Sequence, residues 1–157
     1  MRILGIDPGR EKTGWCILEN YKLILYGVID TRKYVYEGSF DLIISKLGSI
    51  YYLQHVSEIA CERAFKSPKL NTAALQVVVQ CIKEWGRRGE LLLSLYSSTE
   101  WKRSLTGDAH ADKDEVARCV RIHHPELTED TSEHIFSSIG IALHHQGIRQ
   151  LESKEVK

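Results

Sequence analysis

The chain has 157 residues, a length that predicts one domain with a hydrophobic core of its own. Its 21 lysines and arginines equal its 21 aspartates and glutamates, so it lacks the overall positive charge of a general nucleic-acid-binding protein. The four cysteines are scattered without a Cys-x-x-Cys pair, which argues against a zinc ribbon and against a secreted disulfide-stabilised fold.

The sequence also lacks the patterns of exported and membrane proteins. The N-terminal stretch, where a signal peptide would be apolar, carries charged residues: Arg2, Asp7, Arg10 and Glu11. No apolar run approaches the length of a membrane-spanning helix. We therefore expect a cytoplasmic protein with no membrane partner, in which Cys16 and Cys61 are small core residues.

Three strands open the chain and are joined by short connections. The first is an apolar stretch that begins at Ile3 and stops at Asp7, where Pro8 and Gly9 introduce a turn. Residues 13–19 and 22–30 form the next two strands. Such short connections predict that the three strands pair antiparallel in a meander.

A helix and a parallel strand follow the meander. We expect Ser39 to cap a helix that extends to Leu53, because apolar residues recur there at helical spacing. Residues 57–62 form a fourth strand, which ends on Glu62. Because a helix makes the crossover, this strand should lie parallel to the first.

The second half of the chain combines helices with one further strand. The expected elements are an apolar helix over residues 72–85, a strand over 91–96 and helices over 98–105, 112–122 and 131–150. The fold class is therefore α/β, a mixed five-stranded sheet with helices on both faces. We assign residues 1–150 to a single domain and expect the Lys- and Glu-rich residues 151–157 to form a frayed tail.

Asp7 and Glu62 are candidates for chemistry because each ends a predicted strand. If the two strands are adjacent as well as parallel, the carboxylates meet at the sheet edge where α/β proteins bind ligands. Two close carboxylates repel each other, and hard divalent cations prefer oxygen ligands. The pair therefore indicates a Mg²⁺ or Mn²⁺ site, while the simpler alternative is that Asp7 only opens a turn.

The last helix places further polar candidates on one face. After Asp130, the polar residues at three, four and seven positions further on are Glu133, His134 and Ser137. A polar stripe at the start of a helix is more often solvated or capping. Proximity to Asp7 and Glu62 is what would make this stripe part of a site.

Short motifs occur in a fixed order along the chain: Gly5-Ile-Asp-Pro-Gly9 with Thr13-Gly14, Glu62-x-x-Phe65, Trp101-Lys102-Arg103, Gly107-x-Ala109-x-Ala111-x-Lys113 and His134-x-x-Ser137-x-Ile139. In this order they resemble the Holliday junction resolvases of the RuvC type, in the ribonuclease H-like (retroviral integrase) superfamily. The first motif alone is weak evidence, whereas the ordered series is specific. The resemblance covers essentially the whole chain.

The resemblance implies a homodimeric, Mg²⁺-dependent endonuclease, with Mn²⁺ as a substitute ion, that nicks four-way or branched DNA in a bacterial or phage-infected cell. Asp7, Glu62 and His134 match metal-binding catalytic positions, and Lys102 and Lys113 match lysines near the scissile phosphate. A DNA-binding role is implied for these two lysines and for their neighbours in the motifs: Phe65, Lys66, Lys69 and Arg103. Phe65 matches an aromatic residue of the family that stacks on a junction base, although a phenylalanine folded back on the core would give the same pattern.

Ser137 departs from the family pattern, which has an aspartate at this catalytic and metal-binding position. A neutral hydroxyl is a poorer ligand for Mg²⁺ than a carboxylate. We favour a cleavage-deficient form of the enzyme. Two alternatives stay open: Glu133 or Asp130 supplies the missing charge, or the protein binds junctions without nuclease activity.

Three remaining features concern partners. The helix over residues 72–85 is apolar nearly all round, which predicts a homodimer contact. The Gly-Ile-Asp-x-Gly turn also resembles a phosphate loop of the actin and sugar-kinase superfamily, but that fold needs a second similar domain, so we expect no nucleotide cofactor. Two histidine pairs, His123–His124 and His144–His145, are interpreted as surface or helix-end residues.

Overall fold

The computed structural model of the chain describes residues 1–34, 36–64 and 72–155. In these ranges the elements follow one another as β1 (Arg2–Asp7), β2 (Lys12–Glu19), β3 (Lys22–Asp30), α1 (Tyr36–Leu53), β4 (Glu58–Glu62), α2 (Ala73–Arg88), β5 (Leu93–Tyr96), α3 (Ser98–Thr106), α4 (Lys113–His123) and α5 (Glu133–Glu155). Among the described helices, none is long and apolar enough to cross a membrane.

The strands form one mixed sheet in the order β3-β2-β1-β4-β5. β2 pairs antiparallel with both β1 and β3, whereas β4 lies parallel to β1 and β5 lies parallel to β4. The predicted α/β fold, with three antiparallel strands followed by parallel ones, is confirmed. Because α1 makes the crossover from β3, β4 runs beside β1 in the same direction.

Helices cover both faces of this sheet, as predicted. Ile43 of α1 and Val78 of α2 pack against one face, together with Ile6 of β1. Trp101 of α3 and Ile139 of α5 belong to the core on the other face. Each face thus has its own layer of buried side chains, and the layer under α5 is the one that reaches the candidate site.

The start of α1 differs from the prediction. The helix begins at Tyr36, so Ser39 lies buried in its first turn and does not cap it. The Ser39 hydroxyl donates a hydrogen bond to the carbonyl of Tyr34 at 3.4 Å. Serine is favoured both at caps and where it can bond to a nearby backbone carbonyl, which explains the misplaced boundary.

The end of α5 also differs from the prediction. The helix continues through Glu155, beyond the predicted end at residue 150, while residues 156 and 157 lie outside the described ranges. The expected fraying of the tail stays a prediction. Arg149 and Glu152 form an ion pair across one turn at 2.8 Å. Pairs at this spacing stabilise a helix made of good helix formers.

His145 is buried within α5, which corrects the expectation that it is a surface or helix-end residue, whereas the pair at residues 123 and 124 lies at the end of α4 as predicted. Its side chain is 1 % exposed, and Nε2 donates to a carboxylate oxygen of Glu58 at 2.8 Å. Nδ1 then accepts from the hydroxyl of Tyr96 at 2.6 Å, since a neutral imidazole has one donor and one acceptor. Arg149 donates to Glu58 as well, at 2.7 Å. His124 is likewise buried, at 3 % exposure.

We predict that His145 destabilises the folded state as the pH falls. Burial lowers the pKa of His145 from its ordinary value of 6.5, even though Glu58 opposes the shift. The unfolded chain therefore binds a proton at a higher pH than the folded chain, and stability is lost as the pH falls from about 6.5 towards the folded-state pKa. Replacing His145 with Gln should flatten the decline in Tm on acidification.

The matched control is His110→Gln, because His110 is exposed. Thermal unfolding of the parent chain and of both variants is measured from about pH 7.5 to about pH 5.5, which gives the slope of Tm against pH for each protein. Equal slopes for the parent chain and His145→Gln would contradict the prediction.

Candidate active site

Asp7 and Glu62 end neighbouring parallel strands and point to the same side of the sheet. The pairing register places Ile6 opposite Cys61, so the next residue of each strand takes an equivalent position. Ile6 and Cys61 both belong to the core beneath α1 and α2. Because side chains alternate along a strand, Asp7 and Glu62 face the opposite side, where α5 lies.

Two glycines let α5 lie directly on the sheet beside Asp7. A Cβ atom at Gly14 of β2 would overlap the carbonyl oxygen of His134, and one at Gly5 of β1 would overlap that of Ser138. Only a residue without a side chain allows such a close approach of two backbones. The first turn of α5 is therefore held against the strand end that carries Asp7.

Asp7 and His134 are hydrogen-bonded to each other across this contact. Nδ1 of His134 lies 2.9 Å from Oδ2 of Asp7, and the Asp7 side chain is 16 % exposed. Burial raises the pKa of Asp7, although the hydrogen bond from His134 opposes the shift. The same hydrogen bond raises the pKa of His134. The contact thus favours a protonated imidazole beside a carboxylate.

Glu62 is held by a residue that sequence reasoning did not assign to the site. Nε1 of Trp101 donates a hydrogen bond to Oε2 of Glu62 at 2.7 Å. Burial raises the pKa of Glu62 to about 7, and the negative charge of Asp7 adds to the shift. The motif that contains Trp101 was visible in the sequence, but the direction of its indole N–H depends on how α3 packs against β4.

One open cavity of about 380 Å³ brings together most of the predicted site residues: Asp7, Glu62, His134, Ser137, Lys102 and Lys113. Trp101 and Glu133 line the same cavity. Placing these residues in one cavity makes a joint chemical role possible, and each role remains a prediction.

The two lysines of the cavity already have partners. Nζ of Lys102 donates to the carbonyl of Ala111 at 2.8 Å. Nζ of Lys113 lies 2.5 Å from Oε2 of Glu133, and this pairing lowers the pKa of Glu133. A phosphate group entering the cavity would therefore compete with protein oxygens for both ammonium groups.

Among the remaining predicted residues, those that the structure describes do not line this cavity. Arg103 is exposed on α3, and Asp130 is exposed before α5 begins. Phe65, Lys66 and Lys69 lie outside the described residues, so their predicted DNA contacts stay predictions.

The candidate metal ligands of the cavity have the chemistry that a divalent cation requires, but they are not arranged around one common point. Two partly buried carboxylates beside an imidazole would be stabilised by a doubly charged ion, because desolvation raises the pKa of each carboxylate. Within the described part of the chain, however, no three His, Cys, Asp or Glu side chains are grouped to hold an ion. His134 contacts Asp7 instead, so this hydrogen bond would have to open for all three to bind one ion.

A match to a protein-family model identifies the family of this chain. The model of the crossover junction endodeoxyribonuclease RuvC matches residues 3–145. The chain belongs to the RuvC family. The predicted resemblance is thereby confirmed, and the family comprises metal-dependent endonucleases that resolve DNA junctions.

Individual relatives agree with this assignment. The crossover junction endodeoxyribonuclease RuvC of Wolbachia sp. subsp. Brugia malayi is 34% identical over 130 residues, which cover 76% of this chain and 78% of the relative. The protein of the same name from Wolbachia pipientis wMel is 28% identical and covers 92% of this chain and 93% of the relative.

A solved structure shows the same fold. Thermus thermophilus RuvC, determined in complex with a Holliday junction substrate, superimposes with a TM-score of 0.83 at 21% identity. The match covers 97% of this chain and 96% of that chain. The ribonuclease H-like fold is therefore confirmed for nearly the full length.

We predict that Gly14→Ala displaces the start of α5 and destabilises the protein. The new methyl group would overlap the backbone of His134, which cannot move without the helix. Overpacking of this kind costs roughly 1–3 kcal/mol. Urea denaturation should show a lower midpoint for the variant than for the parent chain.

Gly147→Ala is the matched control in α5, because nothing lies within 4 Å of a Cβ atom at this position. Alanine in a helix interior should stabilise this control by roughly 0.5–1 kcal/mol. A Gly14→Ala midpoint equal to that of the parent chain would show that α5 is not held by this contact.

Proposed function

We propose that this RuvC-family chain binds four-way or related branched DNA junctions and hydrolyses phosphodiester bonds there with Mg²⁺, for which Mn²⁺ can substitute. The proposal depends on one observation above all. Two partly buried strand-end carboxylates, a helix-borne histidine and two lysines line a single open cavity: Asp7, Glu62, His134, Lys102 and Lys113. Family membership supports the same reaction.

Each residue of the cavity has a distinct role in this proposal. Asp7, Glu62 and His134 would hold the ion, because they supply two carboxylates and an imidazole within one cavity. Lys102 and Lys113 would bind the phosphate at the scissile bond, and DNA phosphates would then replace their present protein partners. A bound divalent ion activates the attacking water and stabilises the leaving oxygen in reactions of this class.

Ser137 limits the cleavage that this cavity supports. It lies one helical turn beyond His134 and lines the cavity with Asp7 and Glu62, as its spacing predicts. A hydroxyl there adds no negative charge, so a second ion would lack an anionic ligand. We therefore propose weak or absent cleavage together with retained junction binding.

Glu133 is the stronger of the two substitutes for the missing carboxylate. It lines the cavity, whereas Asp130 does not. Its carboxylate is paired with Lys113, and Oε1 lies 3.9 Å from Nε2 of His134. Binding an ion through Glu133 would therefore require Lys113 to leave it. A junction-binding protein without nuclease activity is the alternative function if neither Ser137 nor Glu133 supports an ion.

The test is the variant Ser137→Asp, assayed on a four-way junction in Mg²⁺ and in Mn²⁺. We expect the rate of symmetric nicking to rise by at least roughly tenfold, because the ion site regains an anionic ligand. Gel-shift affinity for the junction without metal should stay above that for linear duplex in both proteins.

Glu133→Gln serves as the matched comparison for that test. If Ser137→Asp changes nothing and Glu133→Gln abolishes cleavage, the ligand lies one turn earlier on α5. If the parent chain and both variants bind junctions and none of the three nicks them, the non-catalytic alternative is correct.

We also propose a homodimer formed through α2, since a two-fold dimer suits a junction with two scissile strands. Val78 is buried in the single chain, but Val77 beside it is 40% exposed. An apolar side chain of α2 is therefore left uncovered in the single chain. The helix also carries Gln80 and Lys83, so the expectation that it is apolar nearly all round is corrected. The remaining proposals, cytoplasmic location and a single domain over residues 1–150, rest on the sequence alone.

We predict a mass of twice the 18.0 kDa chain by light scattering at micromolar concentration. Val77→Asp should raise the dimer dissociation constant at least roughly tenfold, because burying an unpaired charge costs more than about 1.4 kcal/mol. The control is Leu151→Asp, which makes the same kind of change at a position 64% exposed on α5. A monomeric parent chain would contradict the proposed dimer.

A further inference from the structure

The indole of Trp101 lies at the point where α3, α5 and β4 meet. The side chain is 1 % exposed and is among the largest fully buried side chains of the described residues. Its Nε1 donates the 2.7 Å hydrogen bond to Oε2 of Glu62. Trp101 therefore connects the core under α5 directly to a carboxylate of the cavity.

Gly140 gives the indole its place against α5. A Cβ atom at this position would lie 2.9 Å from Cζ3 and 3.0 Å from Cε3 of Trp101, and 3.2 Å from Cδ2 of Leu105. Glycine weakens the interior of a helix, so its presence in α5 carries a cost in stability. The missing side chain leaves room for the ring at the position where its N–H reaches Glu62.

Trp101 fixes the orientation of the Glu62 carboxylate through this hydrogen bond. Within the described ranges, no second side chain donates a hydrogen bond to this carboxylate. Two charged side chains act on the Glu62 carboxylate: Asp7 repels it and Lys102 attracts it. An indole N–H orients one oxygen without placing a positive charge where a cation would bind.

We propose that Trp101 is a positioning residue of the metal site, and that its N–H holds the Glu62 carboxylate in the orientation in which it binds the ion. The inference rests on the proposed function, because it requires that Glu62 be a metal ligand. Groups that orient metal ligands in this way contribute substantially to affinity, and their loss weakens metal binding by roughly 10- to 100-fold.

The experiment is a calorimetric titration of the DNA-free protein with Mn²⁺, without any measurement of cleavage. Trp101→Phe keeps an aromatic ring in the core and removes the N–H donor. We expect Mn²⁺ affinity to fall at least roughly tenfold. Gly140→Ala is the second variant: it keeps the indole but pushes it from its place, and it should weaken Mn²⁺ binding as well.

Two control variants separate positioning from packing. Leu105→Ala removes a side chain that packs beside the indole and keeps the N–H, so it should lower Tm and leave Mn²⁺ affinity within about twofold. Trp85→Phe removes an indole that packs on Tyr51, away from the cavity, and should also leave the affinity unchanged.

The outcomes distinguish this inference from the proposed function. If the parent chain, Trp101→Phe and Gly140→Ala bind Mn²⁺ with equal affinity, the proposed role of Trp101 is overturned. The proposed function then still stands. If Leu105→Ala loses as much Mn²⁺ affinity as Trp101→Phe, the loss is an effect of packing, and the positioning role of Trp101 is overturned as well. Absence of Mn²⁺ binding in the parent chain overturns the metal site and the inference together.

Discussion

The repulsion between Asp7 and Glu62 is the constraint on which the site depends. The parallel pairing of β1 and β4 forces both carboxylates to one sheet edge, and burial removes much of the water that would screen them. The structure offsets this with a hydrogen bond to each: His134 contacts Asp7, and Trp101 contacts Glu62. The two donors differ in a useful way, since the imidazole can carry a positive charge and the indole cannot.

Glycine positions decide how near the compensating groups can come. Gly5 and Gly14 allow the backbone of α5 to rest on β1 and β2, and Gly140 allows the indole of Trp101 to rest on α5. None of these glycines lines the cavity or carries a charge. Their contribution is to fix the separation between elements, which sets the distances between the polar groups that those elements carry.

The sequence predicted the parts of the site that follow from regular geometry. The crossover rule made the strands that end on Asp7 and Glu62 parallel, and helical periodicity placed His134 and Ser137 on one face of α5. That the two strands are also adjacent was a condition, which the structure meets. Trp101 could not be assigned in advance, because an apolar aromatic in a helix is consistent with the core, and only packing shows where its N–H points. His145 was misjudged for the same reason, since its partners Glu58 and Tyr96 come from two strands far apart in sequence.

Ser137 has two opposite consequences for such a site. An aspartate there would add a fourth carboxylate to a cavity that Glu133 also lines and in which burial already raises the pKa of Asp7 and Glu62. Without an ion that arrangement would repel more strongly, and His134 could balance only part of the charge. A serine relieves this repulsion in the metal-free protein and removes the ligand that a second ion would need. If the cavity holds metal ions as proposed, the residue that stabilises the metal-free protein is therefore also the one that restricts its chemistry.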